Sequence, residues 1–473
     1  MRLEGKKVAV VGLGVSNLAL ARYLVEKGAQ VTVLDRKPAE ELGERWHALQ
    51  ALAERGGAGA IVRISLGPDY LEALREGFEM VFLTPGMPKG LSPVQEVRRQ
   101  GAVISGEVPL FLELCPALVL GITGSAGKTT TTTLVARMLS ASGYQVFLGG
   151  NIGRPLIDHV EEISPRDRVV LELSSFQLQL ARRSPGVGVL LNLRPDHLDI
   201  HSSWEEYVEA KRNVYRHQGA GDWTVLNAGD EMVAKEAEQV RGGLAWFGEG
   251  PSPTRVGAWL QDGVLVYGGP GSDPVPVLPV ERLRLVGRHN LHNALAAVAA
   301  AGLGGAAPEA MADVLSTFAG VEHRLERVGE VGGVVYVNDS IATTPDRAAA
   351  ALRSFSGPLI LIAGGYDKKL SFAPLVKEMA GRVRHLILLG ATAERIREAV
   401  RSQMEASPPL IHQVGSLAAA VELARSLARP GDTVLLSPAC ASYDMFRNYE
   451  ERGQMFKQLV RRLAEETAGR GGG

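Results

Sequence analysis

One stretch constrains the fold of this chain more than any other: Leu118-Val119-Leu120-Gly121-Ile122-Thr123-Gly124-Ser125-Ala126-Gly127-Lys128-Thr129. An apolar run leads into a glycine-rich turn that delivers Lys-Thr to a helix start. This is the layout of a nucleoside-triphosphate cradle. Backbone N–H groups close around phosphate oxygens, the lysine neutralises the outer phosphates, and the threonine hydroxyl meets Mg²⁺. A glycine turn with a Thr-rich cap is the plainer reading, and Gly-Lys-Thr between strand and helix argues against it. The match is irregular. The strict pattern needs a glycine where Ile122 stands, so the loop is shorter than usual.

With 473 residues the chain exceeds what one core supports, so two to three domains are expected. Its formal net charge of −1 gives no global attraction to nucleic acid or anionic membrane. The two cysteines, Cys115 and Cys440, lie far apart without metal-like spacing, which suits a reducing cytoplasm. Met1–Lys7 reads as the approach to a first strand, not as a signal peptide, and no uncharged stretch is long enough to span a bilayer.

Apolar runs alternate with helical stretches in three segments, which predicts an α/β fold of three domains. Residues 1–106 read as a Rossmann-like unit with strands at Val8–Val11, Val31–Leu34, Met80–Leu83 and Val103–Ser105. Residues 107–320 read as a central P-loop-type ATPase domain with a mainly parallel sheet. Its Gly- and Pro-rich part, Gly242–Pro279, suggests a small β-meander, and Asn293–Ala301 an Ala-rich helix. Residues 321–473 read as a second Rossmann-like unit with strands at Val334–Asn338, Leu359–Ala363, Leu386–Leu389 and Thr433–Leu436. Ligands bind at the carboxyl ends of strands in such sheets.

Four groups carry candidate chemistry. Gly12-Leu13-Gly14-Val15-Ser16-Asn17 with Asp35 resembles a dinucleotide fingerprint whose third glycine is Asn17. It leaves open NAD, another nucleotide diphosphate, or glycines that merely allow packing. Glu172 ends an apolar strand, where a second Mg²⁺ anchor belongs beside a phosphate loop, although such a residue is also a common cap. His197 stands between Asp196 and Asp199 in a loop after a strand, an arrangement able to ligate a metal. Lys211 shares a helix face with Trp204, Tyr207, Val208 and Tyr215. It either snorkels or, desolvated, becomes a reactive amine open to carbamylation by CO₂.

Together these segments resemble the Mur ligase family over essentially the whole chain. Thr123–Thr129 is similar to the family's short phosphate loop. Gly149-Gly150-Asn151-Ile152-Gly153, Glu172-Leu173-Ser174-Ser175-Phe176-Gln177-Leu178, Asp196–Asp199, Lys211, His289-Asn290 through Asn293, His323-Arg324 and Asn338-Asp339-Ser340 match its landmarks. Ser437-Pro438-Ala439-Cys440-Ala441-Ser442-Tyr443-Asp444-Met445-Phe446, continuing to Glu450-Glu451-Arg452-Gly453, resembles the D-glutamate-adding branch.

The resemblance implies a cytoplasmic, ATP-dependent amide ligase of peptidoglycan precursor synthesis, expected to be a monomer. It would join D-glutamate to UDP-N-acetylmuramoyl-L-alanine through an acyl phosphate, with two Mg²⁺ ions and a carbamylated Lys211. Ser16, Asp35, Arg36, Asn151, Ser174 and His197 would hold the UDP-substrate. Gly124, Ser125, Ala126, Gly127, Lys128, Thr129, Thr130, Asn293, Arg324 and Asp339 would hold ATP. Thr129, Glu172, His197 and Lys211 would hold metal. Thr343, Lys368, Ser442 and Tyr449 would surround D-glutamate, and Lys128, Glu172, His197 and Lys211 form the catalytic set. The chain departs from the family at Ile341, commonly Lys, at Thr344, commonly Asn, and at Tyr449, commonly Phe. Lys369 is the candidate to compensate for the cation lost at Ile341. A folylpolyglutamate-synthetase-like ligase would lack the N-terminal unit. Another Mur ligase would lack the C-terminal signature. A nicotinamide-dependent dehydrogenase or a non-catalytic nucleotide sensor would leave Lys211 without a role.

Overall fold

The computed structural model describes residues 2–55, 63–195, 200–285, 287–355, 357–368, 370–404 and 407–470. Five strands, Lys7–Val11 (β1), Gln30–Asp35 (β2), Arg63–Leu66 (β3), Met80–Leu83 (β4) and Val103–Ser105 (β5), form a parallel sheet in the order β3-β2-β1-β4-β5. Val8, Ala9, Val10 and Val11 are fully buried, because both faces of a parallel sheet are covered. The helix Val15–Glu26 packs over it. The order reverses between β1 and β4, which opens a crevice at their carboxyl ends.

Nine strands build the second sheet: Leu118–Thr123 (β6), Val146–Gly150 (β7), Arg168–Glu172 (β8), Val187–Leu190 (β9), Trp223–Asn227 (β10), Gly243–Gly248 (β11), Gly257–Gln261 (β12), Val264–Gly268 (β13) and Val275–Pro279 (β14). Their order is β14-β13-β12-β11-β10-β9-β6-β8-β7. Pairing is parallel from β7 to β12 and antiparallel from β12 to β14. Of the expected meander only β12, β13 and β14 are antiparallel, as an extension of the main sheet. The meander's first strand, β11, pairs in parallel with β10. The Ala-rich helix runs from Arg288 to Leu303, longer at both ends than expected.

One apolar core joins these two sheets. It includes Val8 and Phe82 of the first, Leu20 of the helix Val15–Glu26, Leu110 and Phe111 of the helix Glu107–Leu114, Val169 and Leu171 of the second, and Tyr207 of the helix Trp204–Arg212. Met1–Ala319 accordingly forms one compact unit, and Gly320–Gly473 forms another.

The second unit has six strands: Glu326–Val331 (β15), Val334–Asn338 (β16), Leu359–Ala363 (β17), Val383–Leu388 (β18), Leu410–Gln413 (β19) and Thr433–Leu436 (β20). They run β15-β16-β20-β17-β18-β19, parallel except for the hairpin β15–β16. Every residue of β17 is buried, and Ile362 packs with Leu417, Val434 and Phe456. Among the described residues no helix is long and apolar enough to cross a membrane. Truncating Ile362 to alanine leaves a cavity in a central strand and is expected to destabilise this unit by about 2–5 kcal/mol. Faster amide exchange in β17 and β20 at unchanged secondary structure would report it.

Candidate active site

In the first unit the carboxyl ends of β6, β7 and β8 lie side by side, and the candidate residues of the nucleotide loop collect there. The loop leaves β6 at Thr123 and enters the helix Lys128–Ala141 through Gly127, whose φ of 84° lies in the left-handed region. A Cβ on Gly127 would stand 2.3 Å from the Asn293 side-chain oxygen, so glycine alone lets the Ala-rich helix come this close. That contact brings Asn293 to the loop. No side chain caps the helix Lys128–Ala141 at Gly127. The Lys128 ammonium donates to the Gly124 and Ser125 carbonyls at 2.9 and 3.1 Å.

Asn192 braces the short loop. Its side-chain oxygen accepts from Ala126 N–H at 2.8 Å, and its amide donates to the Ala126 carbonyl at 3.0 Å. The Ser125 hydroxyl bonds to the Arg194 carbonyl at 2.9 Å and to the Tyr207 hydroxyl at 2.8 Å. Thr130 follows in the first turn of the helix.

Glu172 is 2% exposed and sits at the centre. One carboxylate oxygen accepts the Thr129 hydroxyl at 2.6 Å, and the other accepts the Asn151 amide at 2.8 Å. Asn151 N–H also donates to the Glu172 carbonyl at 2.8 Å. A Cβ on Gly150 would lie 2.2 Å from that carbonyl, which explains the glycine before Asn151. Ser174 follows two residues after Glu172, and its hydroxyl caps the helix Ser175–Leu178 in a reciprocal box with Gln177.

Lys211 is also 2% exposed. From the helix Trp204–Arg212 its ammonium reaches the Gly124 carbonyl at 3.0 Å and the Thr123 hydroxyl at 3.3 Å. It lies 4.6 Å from the centroid of the Tyr207 ring. It therefore does not snorkel to solvent but supports the phosphate loop from behind. His197, with Asp196 and Asp199, lies outside the described residues. Among the described residues no three His, Cys, Asp or Glu gather as a metal site. Yet Glu172 is a buried carboxylate beside a hydroxyl, with two neutral donors. Such hard oxygen groups suit a hard divalent cation.

A separate cleft of about 450 Å³ opens at the β1/β4 switch point, walled by Gly12–Gly14, Asp35–Lys37, Arg45, Tyr70 and Thr84–Met87. Asp35 accepts from Leu13 N–H at 2.5 Å and Lys37 N–H at 2.8 Å, so its carboxylate orders the cleft's own loops. Arg36 stands beside it, and Arg45 donates to the Leu13 carbonyl at 2.9 Å. Asn17 explains the missing third glycine: its amide donates to the carbonyls of Val11 and Gly12 at 3.0 and 2.8 Å. Ser16, in the first turn of the helix, is not part of the cleft wall. Arg45 and Tyr70 reach the cleft from segments that carry no motif.

In the second unit the loops after β16, β17 and β20 converge. Asp339 is 4% exposed and accepts the Ser437 hydroxyl at 2.7 Å and Leu325 N–H at 3.2 Å. Burial raises its carboxyl to about 7, against the pull of Arg324 and Arg347. Lys368 donates to the Thr343 carbonyl at 3.3 Å. Desolvation, then the Arg347 charge, lowers its ammonium below the usual lysine range. Ser442 is buried after β20, and Tyr449 meets His323 edge-on with ring centroids 6.1 Å apart. Burial, then Glu450, raises the Tyr449 hydroxyl to about 12.

Two cations here matter, Arg347 outside any motif and Arg452 within the continuation of the C-terminal signature. Arg347, on the helix Pro345–Leu352, exerts its charge on Asp339, Lys368 and Tyr449. Lys369 lies outside the described residues. Arg452, 1% exposed, donates to the Ser340 hydroxyl and to the carbonyls of Ser340, Cys440 and Ala441 at 2.9 to 3.3 Å. It ties the loop after β16 to the loop after β20.

Comparison with known proteins gives three family matches along the chain. Residues 6–106 match the Mur ligase MurD-like N-terminal domain, 122–301 the Mur ligase middle domain, and 323–440 the Mur ligase glutamate ligase domain. A protein of Symbiobacterium thermophilum named UDP-N-acetylmuramoylalanine–D-glutamate ligase is 49% identical over 97% of this chain and 98% of its own length. Proteins of the same name from Acetivibrio thermocellus and Clostridium perfringens are 42% and 41% identical, over 97% and 98% of this chain and 97% and 98% of their own lengths.

The Asp339 shift has a signed consequence. A carboxyl raised in the folded state contributes most below its unfolded value near pH 4, and that contribution is lost as pH rises through about 7. Asp339→Asn is therefore expected to melt higher than the wild type by a margin that grows from pH 4 to pH 7 and then levels off. Melting temperatures of the ligand-free proteins across that range check it, and a margin that shrank with rising pH would contradict it.

Proposed function

The chain belongs to the Mur ligase family, and from that premise we propose that it is the ATP-dependent ligase that joins D-glutamate to UDP-N-acetylmuramoyl-L-alanine in peptidoglycan precursor synthesis. The observation that carries this reading is full-length identity of 40–49% to proteins of that name. The strand-end cluster of Lys128, Thr129, Glu172 and Lys211 supports its chemistry. The reaction belongs in the cytoplasm, where UDP-activated precursors and ATP are available, and two buried free cysteines agree with a reducing compartment.

In this reading the uridine end of the substrate lies in the cleft of Arg36, Arg45 and Tyr70, its diphosphate near the helix that carries Ser16. The L-alanine carboxylate reaches the strand ends near Asn151 and Ser174. It attacks the γ-phosphate of ATP, ADP departs, and an acyl phosphate forms. The amine of D-glutamate then attacks the acyl carbon, loses a proton and expels phosphate. Carboxylate and triphosphate repel each other, so catalysis is largely charge compensation and positioning. Lys128 exchanges its loop carbonyls for phosphate oxygens. Thr129 and Glu172, with His197 and a carbamylated Lys211, would hold Mg²⁺, which supplies electrostatic neutralisation of the phosphates. Asn293, Arg324 and Asp339 take the nucleotide. Lys368, Thr343, Ser442 and Tyr449 receive the amino acid, with Arg347 giving the positive charge that Ile341 does not.

Phosphate release from ATP that requires both UDP-N-acetylmuramoyl-L-alanine and D-glutamate tests the reading. Release with a folate acceptor, or with another amino acid in place of D-glutamate, would overturn it. Lys128→Met is expected to lower kcat by about 10²- to 10³-fold, the usual loss for one preorganised charge donor. Lys211→Ala is expected to lose most activity and to regain part of it with short-chain carboxylic acids. Arg347→Ala is expected to raise the KM for D-glutamate while leaving that for UDP-N-acetylmuramoyl-L-alanine unchanged.

A further inference from the structure

The first unit holds another cleft, of about 480 Å³, away from the nucleotide loop. One wall is the helix Ser92–Arg99 and the turn before it. The other is the segment 179–182 and the first turn of the helix Trp204–Arg212. Val94, Ile104 and Leu180 give it an apolar floor, and three cations line it: Lys89, Arg98 and Arg182. Among the described residues, none of these three side chains makes a hydrogen bond or ion pair.

The one carboxylate in the wall is already engaged. Glu206 accepts from Ser202 N–H and hydroxyl at 2.6 and 2.7 Å, and from the Gln179 amide at 2.8 Å. Burial pushes the Lys89 ammonium down to about 8, with only the charge of Glu206 opposing it. Lys89 is thus a partly desolvated cation whose one opposing carboxylate is shared with other donors, while Arg98 and Arg182 add exposed positive charge to the same walls. An apolar floor under converging cations is also the composition of a small-molecule site.

We propose that this cleft binds a small molecule bearing carboxylate or phosphate groups, held by Lys89, Arg98 and Arg182. The inference does not depend on the ligase reading. Its second wall is continuous with elements of the nucleotide site. Gln179 directly follows the helix Ser175–Leu178, capped at Ser174 two residues after Glu172, and Glu206 stands on the same helix as Lys211.

The probe is pyridoxal 5′-phosphate, applied briefly to the full-length protein and fixed with borohydride. The Lys89 amine condenses with the aldehyde and releases water, and hydride then reduces the imine to a stable secondary amine. Peptide mass mapping compares Lys89 with the exposed Lys235. The expected result is severalfold faster labelling of Lys89, slowed by millimolar citrate, pyrophosphate or both, with no effect at Lys235. Protection by citrate alone assigns a carboxylate ligand, and by pyrophosphate alone a phosphate ligand. The Arg98→Ala/Arg182→Ala variant alters two exposed side chains, keeps the wild-type melting temperature, and is expected to lose the protection. Lys89 labelling no faster than Lys235, an absence of protection by either anion, or equal protection in the double variant would each overturn the proposal.

Discussion

The buried carboxylate of Glu172 is the interaction on which the first unit's site depends. It terminates β8 between the two strands, β6 and β7, that flank it in the sheet. Its side chain holds Thr129 at the start of one helix and Asn151 at the end of β7, so three separate segments are located by one group. Two neutral donors compensate only part of the cost of burying a charge. A cation is the natural complement, and the nearby hydroxyl supplies a second hard ligand for it.

The second unit solves the converse problem. Arg452 is a buried guanidinium that donates to three backbone carbonyls and a hydroxyl, and desolvation lowers it to about 10. Carbonyl dipoles replace a carboxylate partner. Their orientation ties the loops after β16 and β20 together, and those loops carry Asp339 and Ser442. The buried charge therefore positions acidic and hydroxyl groups without neutralising them, which leaves Asp339 available to ligand.

The parts of this architecture that could be read from the chain share one property: they are apolar runs buried on both faces. Met80–Leu83, Leu359–Ala363 and Thr433–Leu436 have the expected bounds because nothing polar interrupts them. The strand Glu326–Val331 escapes such reading, since it is an antiparallel edge of mixed polarity with only Val331 buried. The strand Leu410–Gln413, also at an edge, escapes for the same reason. In the site, motif glycines and Lys128 were readable because their spacing is local. Arg45 and Tyr70 were not, because long side chains from distant segments enter a cleft by tertiary geometry alone, and Arg347 acts on its neighbours by charge across the folded unit. Asn17 was visible as a departure, but its role depends on two carbonyls that only the folded turn brings within reach.

The shortness of the phosphate loop follows from what surrounds it. A longer loop wraps phosphate with its own backbone and needs little support. Here Asn192 takes both backbone groups of Ala126, and Lys211 takes the carbonyl of Gly124 from beneath. Asn293 presses on Gly127 from a third direction, at a distance no Cβ would allow. The loop is therefore held by three side chains from the segment after β9, the helix Trp204–Arg212 and the Ala-rich helix, not by its own length. Such external bracing couples the loop to every element that supplies a brace. A change at Lys211 then reaches the phosphate contacts through Gly124, even before any chemistry on the amine itself is considered.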